Sequence, residues 1–523
     1  MARTNVPVHR PTAEHIEQGV ASHPDATTNH EGGIAYCVSP KMELYLRAAA
    51  TLCGEPKFYD PSGAEERGAL QDLVAKVVQE DPEFVLRLAT YCRNDLYLRS
   101  VSQVLLVEAA AHPEARGFVR QYTPGIVRRA DELAEVVALY QKRNGHIGDS
   151  APKGMLAASL KKGLADTLPN FNEYQLAKYD RANAVKLRDV LRLVHPKPKN
   201  AAQAALWKRV LDRTLATPDT WEVALSTKGA SRETWEAILP KMGIMAVLRN
   251  LRNLLDHDVD ITPVVRMLED ARVILNSKQF PYRFYAAYLA IGGHTNPHVG
   301  MLRDALETAM DLSIGNVPHL PGLTLIATDL SASMDDAMSE HSKMSRAMVG
   351  CVLSAMAHKF CDTAIVGGFG DRFDTYTVSR ANGTLNNAER LRGLEVGHST
   401  NTWTVIEYML ANTRYRVDRL ILFSDCQSYN DGGRSDDTVP EKVALYRQRV
   451  NPRLKVYSVD LAGYGTAQFP QDDRGTVLLS GWSDKVLSFL ASYEEGERAI
   501  EVIEGLKPHM PRNRDEDAGG DEP

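Results

Sequence analysis

Residues 323–328 constrain the fold more than any other stretch, because this short apolar run contains β-branched residues and directly follows Gly322. A run of this kind is typical of a buried parallel strand. It ends in Asp329, Ser331 and Ser333, at the strand end where side chains of an open α/β sheet line the ligand crevice. One carboxylate and two hydroxyls supply oxygen ligands that suit Mg²⁺. Helix capping is the alternative interpretation of the carboxylate.

Three further strands are predicted in the same part of the chain. The apolar runs 362–370, 419–425 and 454–461 have strand composition, and segments with helical patterns, such as 403–410, lie between them. Strands that alternate with helices predict a parallel, doubly wound α/β sheet.

The Asp-x-Ser-x-Ser motif resembles the metal-site signature of the von Willebrand factor A (vWA) domain, and the later strands and loops follow in the order of that domain. In vWA domains the loop that corresponds to 397–402 carries a Thr ligand. Thr400 is our first choice, and Thr402 is the alternative because Ser-Thr stands here in place of the usual Gly-Gly-Thr. The resemblance implies one Mg²⁺ and five ligands, some of them acting through water: Asp329, Ser331, Ser333, Thr400 and Asp425.

The chain from Met42 to about Leu312 has a helical pattern instead. Apolar residues recur there at spacings of three and four, and the short gaps contain Pro, Gly, Asn or Asp. The predicted helices are 69–78, 83–92, 101–111, 130–141, 174–178, 185–194, 202–215, 244–255 and 264–275. Many amphipathic helices in series predict an α-solenoid of stacked helix pairs, although no fixed repeat period is present.

These patterns divide the chain into four segments. Residues 1–30, rich in His, Pro, Thr and Asn, are expected to form an extended N-terminal arm. The helical domain covers 31–315, and both composition and period change at 316–322. The α/β domain covers 320–506, and the acidic tail 507–523 is expected to be disordered.

Composition is ordinary for a globular protein, with 44% apolar and 24% charged residues. The six cysteines are scattered and form no Cys-x-x-Cys pair, which favours buried free thiols in a reducing compartment. The N-terminus has no apolar leader, and no run of 18 apolar residues occurs. We therefore expect a cytoplasmic protein with no membrane partner.

Residues 142–209 are strongly basic. They contain fourteen Lys or Arg and five Asp or Glu, a local charge of +9 in a chain whose formal net charge is -6. In the predicted helix 185–194 and the residue that follows it, Arg188, Arg192 and His195 fall opposite the apolar face. A solvated helix face is the ordinary explanation of such a run. The one-signed excess favours a phosphate-binding surface, and the absence of known DNA-binding spacings favours RNA.

Residues 191–198 (LRLVHPKP) are similar to a signature of the TROVE domain, which occurs in the Ro autoantigen family of RNA-binding proteins. Segments 31–36 (EGGIAY), 244–251 (IMAVLRNL) and 280–285 (FPYRFY) are also similar to family motifs. A helical domain followed by a vWA-like domain is the order found in that family. The chain therefore resembles a bacterial Ro homologue along nearly its whole length.

The resemblance implies a ring of HEAT-like helices closed by the vWA domain. It also implies that a small structured Y RNA binds the basic outer surface, and that single-stranded 3′ ends of misfolded or decaying RNA enter the central hole. Bacterial members can be joined through their Y RNA to a 3′ exoribonuclease. The implied role is that of an RNA chaperone or adaptor in non-coding RNA quality control, without catalysis and without DNA specificity.

Candidate RNA contacts are suggested both by the family resemblance and by the positions of the basic residues. The resemblance assigns RNA binding on the outer surface to Lys178 and His195. The family has a second basic residue before the His segment, and Arg181 lies one position away from the residue that aligns with it. The full outer set is Lys178, Arg181, Arg188, Arg192, His195, Lys197 and Lys199. Candidates for the central hole are Arg249 and Arg252, three apart on one helical face, and more weakly Arg99. Structural ion pairs would explain these three arginines equally well.

Two other functions stay open. The vWA-type metal site often recruits an acidic side chain of a protein partner, so the chain could be a Mg²⁺-dependent adhesion module with an accessory helical domain. A metal-dependent hydrolase is the weaker alternative. Asp335 and Asp336 adjoin the metal loop, but a solvent-facing acidic pair at a helix start also explains them. No nucleophile-elbow, zinc-protease or Walker motif occurs.

Overall fold

The chain forms two compact units, and each has its own core. One contains residues 1–53 and 244–500, and the other contains residues 54–243 and 501–523. The structure is a computed structural model, and the residues that it describes are 26–28, 34–50, 64–96, 98–144, 156–179, 185–218, 220–279, 281–314, 319–337, 344–379, 382–428, 438–464, 466–471, 473, 475–480 and 499–508. Predicted features outside these ranges are residues 1–25 of the arm, motif residues 31–33, Arg181, Phe280 and residues 509–523 of the tail.

A short hairpin opens the described chain. Strand β1 (Ala26–Thr28) pairs antiparallel with β2 (Ile34–Tyr36), and helix α1 (Pro40–Ala50) follows. Residues 26–28 belong to the predicted arm, so this part of the arm is paired strand. The sequence pattern did not indicate this pairing, because three-residue strands are too short to show alternation.

Helices account for nearly all of the regular structure between residues 64 and 243. The α-helices there are α2 (Ala64–Glu80), α3 (Phe84–Asn94), α4 (Arg99–Ala111), α5 (Arg116–Ile126), α6 (Ala130–Arg143), α7 (Ala158–Thr167), α8 (Glu173–Tyr179), α9 (Leu187–Val194), α10 (Ala201–Asp212), α11 (Trp221–Lys228) and α12 (Arg232–Ile238). Every helix predicted in this range is present. None of the described helices in the chain is both long and apolar enough to cross a membrane.

Neighbouring helices of this unit pack in series, as stacked helix pairs require. Helix α3 packs on α4, α5 packs on α7, and α6 receives both α8 and α9. The approach of α7 to α5 is close enough to need a glycine, since a Cβ at Gly163 would lie 2.4 Å from Thr123 Oγ1. Helices that are close in sequence therefore pack on each other in this unit, as the predicted α-solenoid requires.

Two predicted helices have different boundaries in the structure. The helix predicted over 202–215 ends at Asp212, because Arg213 adopts a left-handed conformation with φ 59°. The helix predicted over 264–275 is two helices. Asp270 separates them with ψ 109°, and its Oδ1 accepts hydrogen bonds from the backbone N–H groups of Arg272 and Val273 as an N-cap.

The other compact unit begins its central section with five more helices. They are α13 (Ile244–Asp256), α14 (Thr262–Glu269), α15 (Ala271–Ser277), α16 (Pro281–Ile291) and α17 (Val299–Leu312). These helices cluster with the sheet that follows. The division into compact units therefore differs from the boundary placed near 316–322 from sequence. What does change there is the secondary structure, from α17 to strand.

The rest of this unit is an α/β domain. Its elements in chain order are β3 (Leu320–Asp329), α18 (Arg346–Phe360), β4 (Cys361–Phe369), β5 (Phe373–Tyr376), α19 (Thr384–Arg392), α20 (Trp403–Ala411), β6 (Arg419–Ser424), α21 (Val439–Arg449), β7 (Lys455–Asp460) and β8 (Thr476–Ser480). Helix α22 (Ala499–Gly505), most of which belongs to the other unit, is the last helix among the described residues. A short 3₁₀ helix at 332–335 lies between β3 and α18.

The six strands form one sheet in the order β5-β4-β3-β6-β7-β8. All neighbours are parallel except β4 and β5, which form an antiparallel edge pair. The four predicted strands are present and parallel as expected, whereas β5 and β8 were not predicted. Strand β6 is buried at every position, which is typical of a central parallel strand covered on both faces.

Helix α1 is fixed to the far end of this sheet. The Ser480 hydroxyl donates a 2.8 Å hydrogen bond to the Leu46 carbonyl, and the Arg47 guanidinium donates one of 3.1 Å to the Tyr464 carbonyl. Helix α1 also packs directly against β8. The first helix described in this unit therefore packs on the last strand described in it, more than 400 residues away.

Candidate metal centre and nucleic-acid interface

Two carboxylates meet at the carboxyl edge of the sheet. Strands β3 and β6 are parallel neighbours in which Thr328 is opposite Phe423, so Asp329 and Asp425 leave the same edge side by side. Both residues are fully buried. Burial and the nearby Asp425 carboxylate raise the pKa of Asp329 to about 7. A buried carboxyl group whose proton affinity is raised by a neighbouring buried acid marks a place where a cation would be stabilised.

The first metal-loop residues are held in place by the aspartate itself. Asp329 Oδ1 accepts a 2.9 Å hydrogen bond from the Ser331 N–H, and its Oδ2 accepts one of 2.7 Å from the Ser424 hydroxyl. The hydroxyl oxygens of Ser331 and Ser333 are 3.2 Å apart. The turn therefore brings the three residues of the Asp-x-Ser-x-Ser motif together, as the motif predicts.

The Thr-bearing loop 397–402 contacts this turn, since the N–H of Ala332 donates a 3.0 Å hydrogen bond to the His398 carbonyl. Thr400 is fully buried, and its Oγ1 has no hydrogen-bond partner among the described residues. Thr402 differs, because its hydroxyl is hydrogen-bonded to that of Ser428. A buried hydroxyl without a partner is costly unless a ligand completes it, so the surroundings favour Thr400 over Thr402 as a ligand.

The donor set fits Mg²⁺. Two carboxylates and three hydroxyls are all hard oxygen donors, and Mg²⁺ is commonly held by one or two carboxylates with waters in the remaining positions. Across the described ranges, no group of three His, Cys, Asp or Glu side chains that could hold a metal is present. The described residues therefore contain no metal site built mainly from cysteine, histidine or carboxylate ligands.

A third buried carboxylate lies at the same edge and was missed in the sequence. Asp460 ends β7, directly opposite Ser424 of β6. Its Oδ1 accepts 2.8 Å hydrogen bonds from the N–H groups of Ala462 and Gly463, while its Oδ2 has no partner within the described residues. Burial raises the pKa of Asp460 to about 7. An acid at the end of the predicted strand 454–461 was the available signal.

The acidic pair beside the metal loop is engaged in ion pairs. Asp335 contacts the guanidinium of Arg392, and Asp336 Oδ2 lies 3.6 Å from Arg346 Nη1. Asp335 ends the 3₁₀ helix, and Asp336 follows it. These partners give both acids a structural role at the turn, which is the alternative to a catalytic one.

The candidate outer-surface contacts lie on neighbouring helices. Lys178 is on α8, Arg192 is on α9, and both helices pack on α6. His195 ends α9 in a left-handed conformation, with φ 49° and ψ 59°. The exposed members of the predicted set are Arg192, His195, Lys197 and Lys199, and Lys178 is half-buried. The structure therefore brings these cations to one region of the helical unit.

Arg188 does not share the exposure predicted for it. Its side chain is only 27% exposed, and its Nε lies 3.7 Å from Asp189 Oδ1. The helical spacing placed Arg188 opposite the apolar face, but the adjacent acid and the packing of α9 leave it partly covered. Arg181, another member of the predicted set, lies outside the described residues.

The three candidates for the central hole separate into two groups. Arg249 and Arg252 on α13 are exposed, and neither forms an ion pair with a described residue. Arg99 contacts Asp131, Glu132 and Glu135. For Arg99 the structural explanation is therefore sufficient, whereas Arg249 and Arg252 keep charge exposed to solvent.

A helical-repeat unit combined with an α/β domain of the vWA type defines the class of protein. The family model described as the TROVE domain matches residues 39–216 and 208–296. The chain belongs to the TROVE-domain family, whose members include the Ro proteins.

Three relatives support this assignment. The chain is 21% identical over 547 aligned positions to the RNA-binding protein RO60 of Deinococcus radiodurans, which covers 94% of this chain and 98% of that protein. It is 25% identical over 334 residues to telomerase protein component 1 of Mus musculus, and 25% identical over 350 residues to that of Rattus norvegicus. These matches cover 48% and 51% of this chain, but only 13% of each telomerase protein.

The fold has a solved counterpart in the crystal structure of the Ro (RSR) protein of Deinococcus radiodurans. The TM-score is 0.57 at 20% sequence identity, and the match covers 81% of this chain and 94% of that one. The predicted fold class, HEAT-like helices with a doubly wound vWA domain, is confirmed by this likeness.

Proposed function

We propose that this chain is a Ro-type RNA-binding protein that acts as a chaperone or adaptor in non-coding RNA quality control. In this proposal a small structured RNA of the Y RNA kind binds the basic surface defined by Lys178, Arg192, His195, Lys197 and Lys199. The TROVE helices form a ring that is closed by the vWA domain. Single-stranded 3′ ends of misfolded RNA enter the hole of that ring, and a 3′ exoribonuclease joins through the bound RNA. The protein itself performs no catalysis.

The observation that carries the proposal is the exposure of one-signed charge on adjoining helices of the TROVE unit. Three of the predicted cations, Arg192, Lys197 and Lys199, are exposed there together with His195, and the surrounding segment 142–209 has a net charge of +9 in an otherwise acidic chain. Guanidinium and ammonium groups that point to solvent without neutralising acids attract phosphate. The name of the Deinococcus radiodurans relative, an RNA-binding protein, agrees with this assignment.

Neutralising this surface is expected to weaken RNA binding. The variant combines Lys178→Gln, Arg192→Gln and His195→Asn, where asparagine tolerates the left-handed conformation at 195. Because each phosphate contact releases counterions, the slope of log K against log salt should fall by about two, for the two permanent charges removed. Affinity for a stem-loop RNA should fall at least about tenfold at low salt. Fluorescence anisotropy across a salt series measures both quantities.

The matched control is Arg390→Gln with Arg453→Gln. Both arginines are exposed, and both belong to the other compact unit. This control variant should keep the wild-type affinity and slope. Equal losses in the two variants would show that only net charge matters, and unchanged affinity in the triple variant would exclude this surface as the RNA site.

A second prediction concerns 3′ ends. We propose that Arg249 and Arg252 contact single-stranded RNA, because both are exposed on one face of α13. A duplex with a single-stranded 3′ overhang should then bind more tightly than the same duplex with blunt ends. Arg249→Gln with Arg252→Gln should reduce that preference and leave blunt-duplex affinity unchanged. Competition between the two duplexes measures the preference directly, and equal affinities in wild type would contradict entry of 3′ ends.

We also propose that Asp329, Ser331, Ser333, Thr400 and Asp425 hold one Mg²⁺. The buried Thr400 Oγ1, which has no hydrogen-bond partner among the described residues, and the two adjoining carboxylates support this assignment. When bound, the cation would be formally balanced by the two carboxylates, and an octahedral coordination position that the five side chains leave open could accept an acidic ligand. This favours a second role, capture of an acidic side chain of a protein partner, which is compatible with RNA binding on the helical unit.

The cytoplasm is the proposed place of action. Cys37, Cys92, Cys351, Cys361 and Cys426 form no disulfide with a described residue. Burial raises the pKa of Cys351 to about 12, and also raises that of Cys426 well above its usual value. Buried thiols outside a disulfide suit a reducing compartment.

A further inference from the structure

Tyr174 is an exposed aromatic residue on the basic surface. It lies on α8, one helical turn before Lys178, and its side chain is 48% exposed. Most large apolar side chains among the described residues are buried. A ring with about half of its surface exposed can offer a flat face to a ligand.

Cations surround this ring and its neighbour in a definite arrangement. Lys178 Nζ lies 5.8 Å from the ring centroid of Tyr174 and 5.8 Å from that of Tyr179. The Arg129 guanidinium lies 4.8 Å from the Tyr179 centroid. Among the described residues, Tyr179 is therefore approached by two cations, whereas Tyr174 is approached by Lys178 and keeps about half of its surface open.

The acid nearest to Tyr174 is already neutralised. Glu173 accepts two hydrogen bonds from Arg209, at 2.9 Å from Nε and 2.7 Å from Nη2. This bidentate pair joins the start of α8 to α10, so it also fixes the position of the neighbouring tyrosine. The carboxylate next to Tyr174 in sequence is thus engaged by an arginine and does not present an unpaired negative charge to RNA.

We propose that Tyr174 stacks on an unpaired nucleobase of the bound RNA while Lys178 contacts the adjacent phosphate. This inference rests on the proposed RNA-binding function and adds a preference to it. Bases in a continuous duplex hide their faces, whereas an unpaired base can stack on an exposed aromatic ring whatever its identity. The surface would therefore distinguish RNA with unpaired nucleotides from continuous duplex, without reading sequence.

The test compares a hairpin RNA, whose loop nucleotides are unpaired, with a blunt duplex of the same stem. Tyr174→Ala should weaken hairpin binding about tenfold, the usual order for one base–aromatic stack. The same variant should change duplex affinity less than about twofold, because phosphate contacts remain. Tyr174→Trp should restore hairpin affinity. A fluorescent adenine analogue in the loop should be quenched on binding wild type and not on binding Tyr174→Ala.

Tyr415→Ala is the matched control, since Tyr415 is 39% exposed and has the Arg414 guanidinium 4.7 Å from its ring centroid, but belongs to the other compact unit. It should leave both affinities unchanged. Equal loss of hairpin and duplex binding, or no loss, in Tyr174→Ala overturns the stacking role and leaves a protein contact as the use of this ring. Wild type that binds neither RNA contradicts the proposed function itself, and the inference falls with it.

Discussion

Replacing Glu132 by alanine is expected to lower the stability of helices α3, α4 and α6 by about 3–5 kcal/mol. The Glu132 side chain is fully buried in the helical unit. Its Oε1 lies 2.9 Å from Arg93 Nη2 and 3.1 Å from Arg99 Nε. Removing the carboxylate leaves two arginines without their buried partner, and that cost exceeds the worth of a surface ion pair.

Glu132 also completes the start of its own helix. Its Oε2 accepts hydrogen bonds from the backbone N–H groups of Arg128 at 2.7 Å and Arg129 at 3.1 Å. Alanine would leave these two donors without their acceptor, which adds to the loss. Glu132→Gln keeps an acceptor oxygen and should therefore have a smaller effect than Glu132→Ala.

Hydrogen exchange of the amides in residues 84–143, measured at increasing urea concentrations, reports the local free energy of opening and needs no assumption of two-state unfolding. The matched control is Glu135→Gln, on the same helix and with the same arginine partner. Glu135 is 32% exposed, so its loss should cost less than about 1 kcal/mol. Equal effects at 132 and 135 would contradict the buried-network interpretation.

The second large effect expected is stabilisation by Mg²⁺ at the sheet edge. A ligand that binds only the folded state adds about 2.7 kcal/mol when its concentration is about 100 times Kd. Thermal melts of wild type should therefore shift upward in excess Mg²⁺ relative to chelator. Asp329→Ala should lose this shift, because it removes one of the two carboxylates. An equal shift in both proteins would contradict the proposed site.

Two threonine variants make the test specific. Thr400→Val should lower the Mg²⁺ shift without destabilising the protein in chelator, because the Thr400 hydroxyl has no hydrogen-bond partner among the described residues. Thr402→Val breaks the bond to Ser428, so it should destabilise the protein with and without Mg²⁺ and keep the shift. Loss of the shift in Thr402→Val alone would assign the ligand to that residue instead.

The parts of the fold that could be predicted are helices and strands whose buried residues recur at a regular spacing along the chain. Helices such as α3 and α4 were visible because their apolar residues recur at helical spacing. Helix α5 was not predicted, because Pro124 lies inside it. The break at Asp270 depends on one N-cap carboxylate, which a pattern of apolar residues does not register.

The candidate metal site was predictable where its residues are adjacent in sequence. Asp329, Ser331 and Ser333 belong to one turn, so spacing alone brings them together. The choice between Thr400 and Thr402 depends on which of the two hydroxyls forms a hydrogen bond with another loop, and the position of Ser428 decides this. For the same reason, the sequence could not show that Arg99 forms ion pairs whereas Arg249 is exposed, because this depends on which acids lie nearby in the fold.

The pairing of α1 with β8 has a consequence for the order of folding during synthesis. The hydrogen bond from Ser480 to Leu46 spans 434 residues of chain. At roughly 5–20 residues per second, the ribosome needs on the order of 20–90 seconds to make that stretch. During this interval the buried face of α1 has no strand to cover it, whereas the helices of 64–243 can already pack on each other. A transient holder of that N-terminal segment, such as a chaperone, would therefore act early and be released only when the last strand of the sheet emerges.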